Sequence, residues 1–147
     1  INVQSVDMSD LKVTIKVPVR FSEMDPIRVI WHGNYLKYLE DAREAFGREY
    51  GLSYKLMVDS GYYCPILDYH VRFTHSATYE DTLLVTAIYK KVRGAKICFD
   101  YEIRRERDNA LVLTASTIQL FTGTDGVLEP SEPEFYRKWK AQFPELA

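Results

Sequence analysis

Apolar residues fall at every second position over residues 11–21. Leu11, Val13, Ile15, Val17, Val19 and Phe21 share one face, and Lys12, Thr14, Lys16 and Arg20 share the other. That period predicts a half-buried antiparallel strand. Pro18 cannot donate to a ladder, so the strand belongs at a sheet edge or a bulge. Residues 22–33 then show no period. Beyond them Tyr35, Tyr38, Leu39, Ala42, Phe46 and Tyr50 recur at steps of three and four, the single apolar stripe of a long helix. Asn34 is placed as its N-cap and Gly51 as its left-handed stop. Residues 53–61 carry the same punctuation around one more short helical turn.

Strand-like segments follow at residues 62–74, 82–92, 95–105 and 110–122. In the third, Ile97, Phe99, Tyr101 and Ile103 alternate with Cys98, Asp100, Glu102 and Arg104, and the fourth is apolar enough to be central. Arg93-Gly94 and Asp108-Asn109 supply the turns between them. Ser131-Glu132-Pro133-Glu134 reads as a capping box opening a helix with Phe135, Trp139 and Phe143. The order β-α-β-β-β-β-α predicts an α+β fold: a strongly curved antiparallel sheet wrapped around one long central helix, plus a C-terminal helix. Wrapping covers one face of the sheet. The other face and the open edges call for further copies of the chain, so a homo-oligomer is expected. The length, 147 residues, suits a single domain over residues 1–147, with residues 1–10 as a flexible N-terminal segment.

Composition narrows the function classes. A net charge of −2 provides no general attraction to nucleic acid or an anionic membrane. No apolar run approaches the ~18–20 residues needed to span a bilayer, and residues 1–10 lack a basic region followed by an apolar one. A cytoplasmic protein is therefore expected. Cys64 and Cys98 sit in no paired motif and no metal-ligand spacing, so they are read as reduced core thiols, with no metal. His70 and His75 have no converging ligands in the sequence.

Chemistry concentrates in Phe21-Ser22-Glu23-Met24-Asp25-Pro26-Ile27-Arg28-Val29-Ile30-Trp31-His32-Gly33-Asn34-Tyr35, between the first strand and the long helix. A helix N-terminus presents unpaired N–H groups and the positive end of a dipole, which can hold a developing oxyanion. A carboxylate nearby can attack a carbonyl or activate water. Spacing by itself favours a plainer account: Asp before Pro is a common turn, and His near a helix start commonly caps or packs.

This loop, with Glu40-Asp41-Ala42-Arg43 on the helix, resembles the hot-dog thioesterases of the 4-hydroxybenzoyl-CoA thioesterase family, which includes thioesterases associated with the bacterial Tol-Pal system. The likeness covers about residues 13–143 in the same element order. It takes in Pro65-Ile66-Leu67-Asp68-Tyr69-His70-Val71-Arg72-Phe73 and Tyr79-Glu80-Asp81-Thr82-Leu83. The resemblance implies a hot-dog fold and hydrolysis of an acyl-CoA thioester to a free acid and CoA. Coenzyme A would enter only as part of the substrate, with no other cofactor. Asp25 falls on the family's catalytic carboxylate, as nucleophile or general base. His32 falls where a backbone N–H polarises the thioester carbonyl. Trp31, Asn34 and Tyr35 become substrate-binding candidates at the helix start.

The resemblance also makes Lys90, Lys91 and Arg93 candidates for CoA phosphates at an oligomer surface, although their charge alone reads as a solvated turn. It further implies a homodimer assembling to a homotetramer. Two positions depart from the family pattern: Arg28 stands where many members have Gly, and Glu23 replaces a frequent Asp. Glu40 is held as a reserve carboxylate. Two rival readings remain. One is a hot-dog module that binds acyl-CoA or acyl-carrier protein without hydrolysis. The other is a dehydratase, whose usual His and acid pairing is not seen here.

Overall fold

A computed structural model describes residues 11–146, so the expected flexible segment 1–10 lies outside the described residues. The elements are β1 (Lys12–Pro18), α1 (Asn34–Tyr50), α2 (Tyr54–Asp59), β2 (Tyr62–Tyr63), β3 (Ile66–Phe73), β4 (Thr82–Lys90), β5 (Lys96–Arg105), β6 (Leu111–Leu120), β7 (Thr122–Gly123) and α3 (Glu134–Ala141). Five strands form one antiparallel sheet in the order β1-β4-β5-β6-β3. Pro18 ends β1 on an edge strand, where its missing N–H costs no ladder bond. The sheet packs its apolar face on α1, which is the expected hot-dog arrangement.

Register shows how alternation builds the core. Ile15 lies opposite Val85, Val85 opposite Ile103, Ile103 opposite Leu113, and Leu113 opposite Phe73. These rows face Tyr35, Tyr38, Leu39, Ala42 and Phe46 of α1. Phe46 stacks at 6.0 Å on Tyr89 and meets Phe99 edge-on at 5.0 Å. From α3, Trp139 closes this aromatic group and donates its indole N–H to the Tyr50 carbonyl at 2.7 Å. The Tyr89 and Tyr136 hydroxyls bond each other inside it. The outer face is polar. Thr14 bonds Thr86 at 2.7 Å, Lys16 pairs with Glu106 at 2.8 Å, and Arg104 pairs with Glu102. That face tolerates water, which leaves the edges, more than the face, as the reason to expect a second copy.

Several boundaries differ from the sequence reading. The expected strand 62–74 breaks at Cys64–Pro65, and β2 leaves the main sheet to pair with β7. The expected strand 110–122 breaks likewise at Phe121. Alternation at the start ends with Val19, because the chain turns into a 3₁₀ turn at Phe21–Glu23 and leaves Phe21 76% exposed. The N-cap of α1 is Gly33, not Asn34. The capping box at residue 131 does not form. Pro133 is the N-cap of α3, and the Ser131 hydroxyl binds the Glu129 carboxylate instead. Gly51 does end α1 at φ 79°, and Ser53 caps α2 by accepting from the Leu56 amide at 3.1 Å.

Burial raises the Tyr35 and Tyr89 hydroxyls to about 12 from an ordinary 10.0. Their neutral forms are the ones packed, so the unfolded chain loses these protons first. Stability tied to them is therefore complete below pH 10.0 and is lost as pH climbs through about 12. Urea midpoints measured across that window are expected to fall. In a Tyr35→Phe variant, which keeps the ring and removes the hydroxyl, the fall is expected to be shallower.

Candidate active site

The segment between β1 and α1 is a tight, internally bonded loop. Met24 bridges Ile30, the Asp25 amide donates to the Val29 carbonyl at 2.8 Å, and the Arg28 amide returns to the Asp25 carbonyl at 3.0 Å. This turn requires a left-handed residue at its tip, and Arg28 occupies it at φ 67°. Gly would adopt that conformation without a Cβ clash.

Both ends of the loop are pinned. The Glu23 carbonyl accepts from the Trp31 amide at 3.0 Å and from Asn34 Nδ2 at 2.9 Å. The Ile30 amide donates to the Ala77 carbonyl at 2.9 Å. The neighbouring turn is itself anchored by Asp81, 4% exposed, which accepts from the Thr78 amide at 3.0 Å and from Arg107 Nε at 2.6 Å. The Glu23 side chain accepts from the Arg20 amide at 2.8 Å. It secures the 3₁₀ turn that leads into the loop.

Within this frame Asp25 is half-buried. Its Oδ1 accepts from the Ile27 amide at 2.9 Å and the Val29 amide at 3.4 Å. Its Oδ2 makes no hydrogen bond among the described residues. The carboxylate is thus oriented by one oxygen and has the other in hand. At the helix start the Asn34 amide bonds the Trp31 carbonyl at 2.9 Å and the Tyr35 amide bonds the His32 carbonyl at 3.4 Å. The His32 and Gly33 amides donate to no acceptor among the described residues. The exposed Trp31 ring folds over Gly33 and lies 5.2 Å from the His32 ring. A Cβ on Gly33 would stand 2.2 Å from that indole, so glycine permits the cover.

The structure brings Asp25, Trp31 and His32 onto this one loop and buries Asn34 and Tyr35 beneath it. Asn34 spends its side-chain donor on Glu23, and Tyr35 packs on Phe73 at 5.6 Å and Tyr38 at 5.9 Å. Both support the loop from inside. Lys90, Lys91 and Arg93 are not brought near it within one chain. The loop joins the sheet at the Thr82 end of β4, where the Val19 amide meets the Asp81 carbonyl; Lys90 closes the far end of that strand, with Lys91 and Arg93 beyond it. At 3.3 Å per residue that separation is about 26 Å.

Sequence reasoning missed a cleft of about 880 Å³ beside α1. Its helix wall is Glu40, Arg43, Glu44, Gly47 and Arg48, a second stripe next to the core stripe. That stripe of polar residues at helical spacing was the available signal, but it reads as a solvated face until α2 and β2 close over it. Leu52, Met57, Ile97 and Phe99 supply apolar surface. Glu40, the reserve carboxylate, stands here and not beside Asp25. Cys64 also lines the cleft, and burial pushes its thiol up to about 12, which disfavours the thiolate needed of a nucleophile. Burial raises the Cys98 thiol as well. No group of three or more metal-ligating side chains occurs among the described residues. No helix among them is long and apolar enough to cross a membrane.

The sequence profile of the thioesterase-like superfamily matches residues 19–140. The chain belongs to the thioesterase-like superfamily. The relatives that it matches are named as thioesterases. The chain is 27% identical over 88 residues to a putative acyl-CoA thioesterase, YneP, of Bacillus subtilis, a match covering 60% of this chain and 64% of that protein's length. It is 26% identical over 120 residues to the 4-hydroxybenzoyl-CoA thioesterase of a Pseudomonas species, covering 78% of this chain and 85% of that one. Its fold superimposes on a DHNA-CoA thioesterase from Staphylococcus aureus with a TM-score of 0.80 and 25% identity, covering 89% of each chain. Within the superfamily's frame, Arg28→Gly is expected to raise stability by about 1 kcal/mol in chemical denaturation, through relief at the positive φ.

Proposed function

We propose that the chain is an acyl-CoA thioesterase in which Asp25 performs the chemistry and the first amides of the α1 approach hold the thioester oxygen. One observation carries this reading. The oriented carboxylate of Asp25 shares a pinned loop with the His32 and Gly33 amides, which have no acceptor among the described residues. Acyl-CoA activity is what the named relatives in Bacillus and Pseudomonas have in common.

In the reaction the His32 amide donates to the thioester oxygen as negative charge develops there. Asp25 then acts in one of two ways. As a nucleophile, Oδ2 forms a bond to the carbonyl carbon, the C–S bond breaks, and CoA leaves as the thiolate. Water afterwards cleaves the resulting mixed anhydride to the free acid and regenerated carboxylate. As a base, Oδ2 takes a proton from water, the hydroxide adds to the carbon, and the same C–S bond breaks. The thiolate is a good leaving group, so neither course needs a strong acid. The indole of Trp31 packs over Gly33 at the helix start.

The same proposal includes assembly. β3 is an edge strand with Leu67 67% exposed and Phe73 50% exposed. A second copy pairing along this edge about a two-fold axis satisfies its backbone groups, and two such dimers make the tetramer. The separation of about 26 Å between the loop and the basic hairpin of one chain fits this picture. A CoA at one chain's Asp25 would meet Lys90, Lys91 and Arg93 of a neighbouring copy. Sedimentation at micromolar concentration is expected to show a dimer or larger species, and a stable monomer would remove this part of the proposal.

The competing account is a module that binds acyl-CoA and leaves it intact. Asp25 Oδ1 already serves as a turn acceptor, which is the structural role such a module would need. Asp25→Asn separates the two, because the amide keeps that acceptor and so keeps the turn. Thiol release from a panel of aryl, short-chain and long-chain acyl-CoAs is expected to fall roughly 10²–10⁴-fold in the variant, with an unchanged circular dichroism spectrum. Near-normal kcat in the variant, or no turnover of any substrate by the wild type, rejects the catalytic assignment.

A further inference from the structure

β3 lies at one end of the sheet, with β6 on one side and its other edge open among the described residues. Just past the strand, the Thr74 amide donates to the Val112 carbonyl at 2.8 Å. From Asp68 onward the even-numbered residues therefore turn their backbone groups to β6, and Tyr69, Val71 and Phe73 turn theirs to the open edge. The side chains divide by face. Tyr69 and Val71 pack against the core, and Phe73 meets Tyr35 of α1. Asp68, His70 and Arg72 stand exposed on the outer face, opposite Ile118, Ser116 and Thr114 of β6. None of these three neighbours is charged, and neither Asp68 nor Arg72 has an ion-pair partner among the described residues.

An edge strand bearing one sign of charge repels a second copy of itself. β3 bears one of each sign, with His70 midway between them. Two copies paired antiparallel about a two-fold axis keep their faces aligned only when the axis passes at a residue, not between two. The charges rank those positions. An axis at Asp68 sets this carboxylate against the partner's Asp68, and an axis at Arg72 sets two guanidinium groups together. An axis at Tyr69 leaves Arg72 facing the partner's Ile66, and one at Val71 leaves it facing the partner's His70. An axis at His70 sets Asp68 against the partner's Arg72, and symmetry repeats the pair. It also brings Leu67, 67% exposed, level with the partner's Phe73, 50% exposed. The odd-numbered residues carry the hydrogen bonds of such a ladder. The charged pairs then fall at its other positions, where opposite Cα atoms approach to about 4.5 Å and side chains are closest.

We propose that β3 specifies the register of its own dimer: the two-fold axis passes at His70, and Asp68 of each chain pairs with the partner's Arg72. That a β3 dimer exists rests on the assembly put forward above. The register rests on the charge pattern of the strand, which admits one alignment and repels the slipped ones to which an open edge is otherwise prone.

Cysteine linking reads the register directly. In a background with Cys64 and Cys98 replaced by Ala, His70→Cys is expected to give a disulfide-linked dimer on mild oxidation, since its Cα atoms fall within bridging range of their copies. Asp68→Cys and Arg72→Cys, on the same exposed face, are expected to stay unlinked, because each lies about 13 Å from its own copy at about 3.3 Å per residue. Linking of either in preference to His70→Cys overturns the register. Charge reversal reads the energetics. Asp68→Arg and Arg72→Asp are each expected to raise the dimer dissociation constant in fluorescence-detected sedimentation by roughly tenfold or more. The double variant restores opposite pairs and is expected to return to within about threefold of wild type. Single variants without effect, or a double variant no better than the singles, reject the pairing. A wild-type dimer without a His70→Cys link means that assembly uses another register or surface, so this inference falls while the assembly stands. A wild-type monomer removes both. Should one set of variants not fold, the other decides the matter.

Discussion

The Glu23 carbonyl receives two donors, the Trp31 amide and the Asn34 side chain, and the arrangement of the loop follows from that junction. An α-helix leaves its first N–H groups without intrahelical partners, and most helices cap them with a side chain from the residue just before. Here the residue in that place is Gly33, which has no side chain to offer. Asn34, the obvious cap by residue type, is instead the first helical residue and reaches back to the loop. The outcome is a helix start held rigidly by bonds around it while the His32 and Gly33 amides are left open. A side-chain cap at residue 33 would take the amide of Tyr35 or Leu36 and leave the His32 and Gly33 amides as they are.

Much of the fold was legible because period is a local property. The alternation from Leu11 to Val19 and the stripe from Tyr35 to Tyr50 each identify an element without knowledge of its neighbours. What period could not show was where a strand leaves one sheet for another. Residues 62–74 read as one strand, yet Pro65 cannot donate and its carbonyl is taken by the Leu120 amide, so the chain steps from β2 to β3. The failed caps have a similar origin. Ser131 and Asn34 both found partners other than the nearby amides, in Glu129 and in the Glu23 carbonyl, and residue type does not rank such competitors. Asp25 and His32 were placed through resemblance, since spacing by itself favoured an ordinary turn. The distance from the loop to Lys90 and Arg93 depended on the run of β4, which only the assembled sheet reveals.

Arg28 illustrates why a departure from a family pattern has to be read through the backbone. By residue type it suggests a changed charge near the carboxylate. By geometry it is first a non-glycine residue in the left-handed region, held there because the Asp25 carbonyl and the Val29 carbonyl close a turn of fixed length around it. The bonds that close the turn are made by backbone amides and carbonyls, not by the Arg28 side chain. That side chain is therefore not needed to hold Asp25.

α1 connects these features because one helix presents different stripes to different surroundings. Tyr35, Leu39, Ala42 and Phe46 face the sheet, Glu40, Arg43, Gly47 and Arg48 face the cleft, and its approach holds the open amides. These surfaces share one rigid body. Gly47 shows how tightly the helix is seated, since a Cβ there would lie 2.7 Å from the Leu52 carbonyl, a backbone atom with little room to yield. A change on the core stripe that shifts α1 would thus displace the amides relative to Asp25 and the cleft wall relative to Gln119 together. Core packing in this fold therefore fixes the helix start and the cleft wall together.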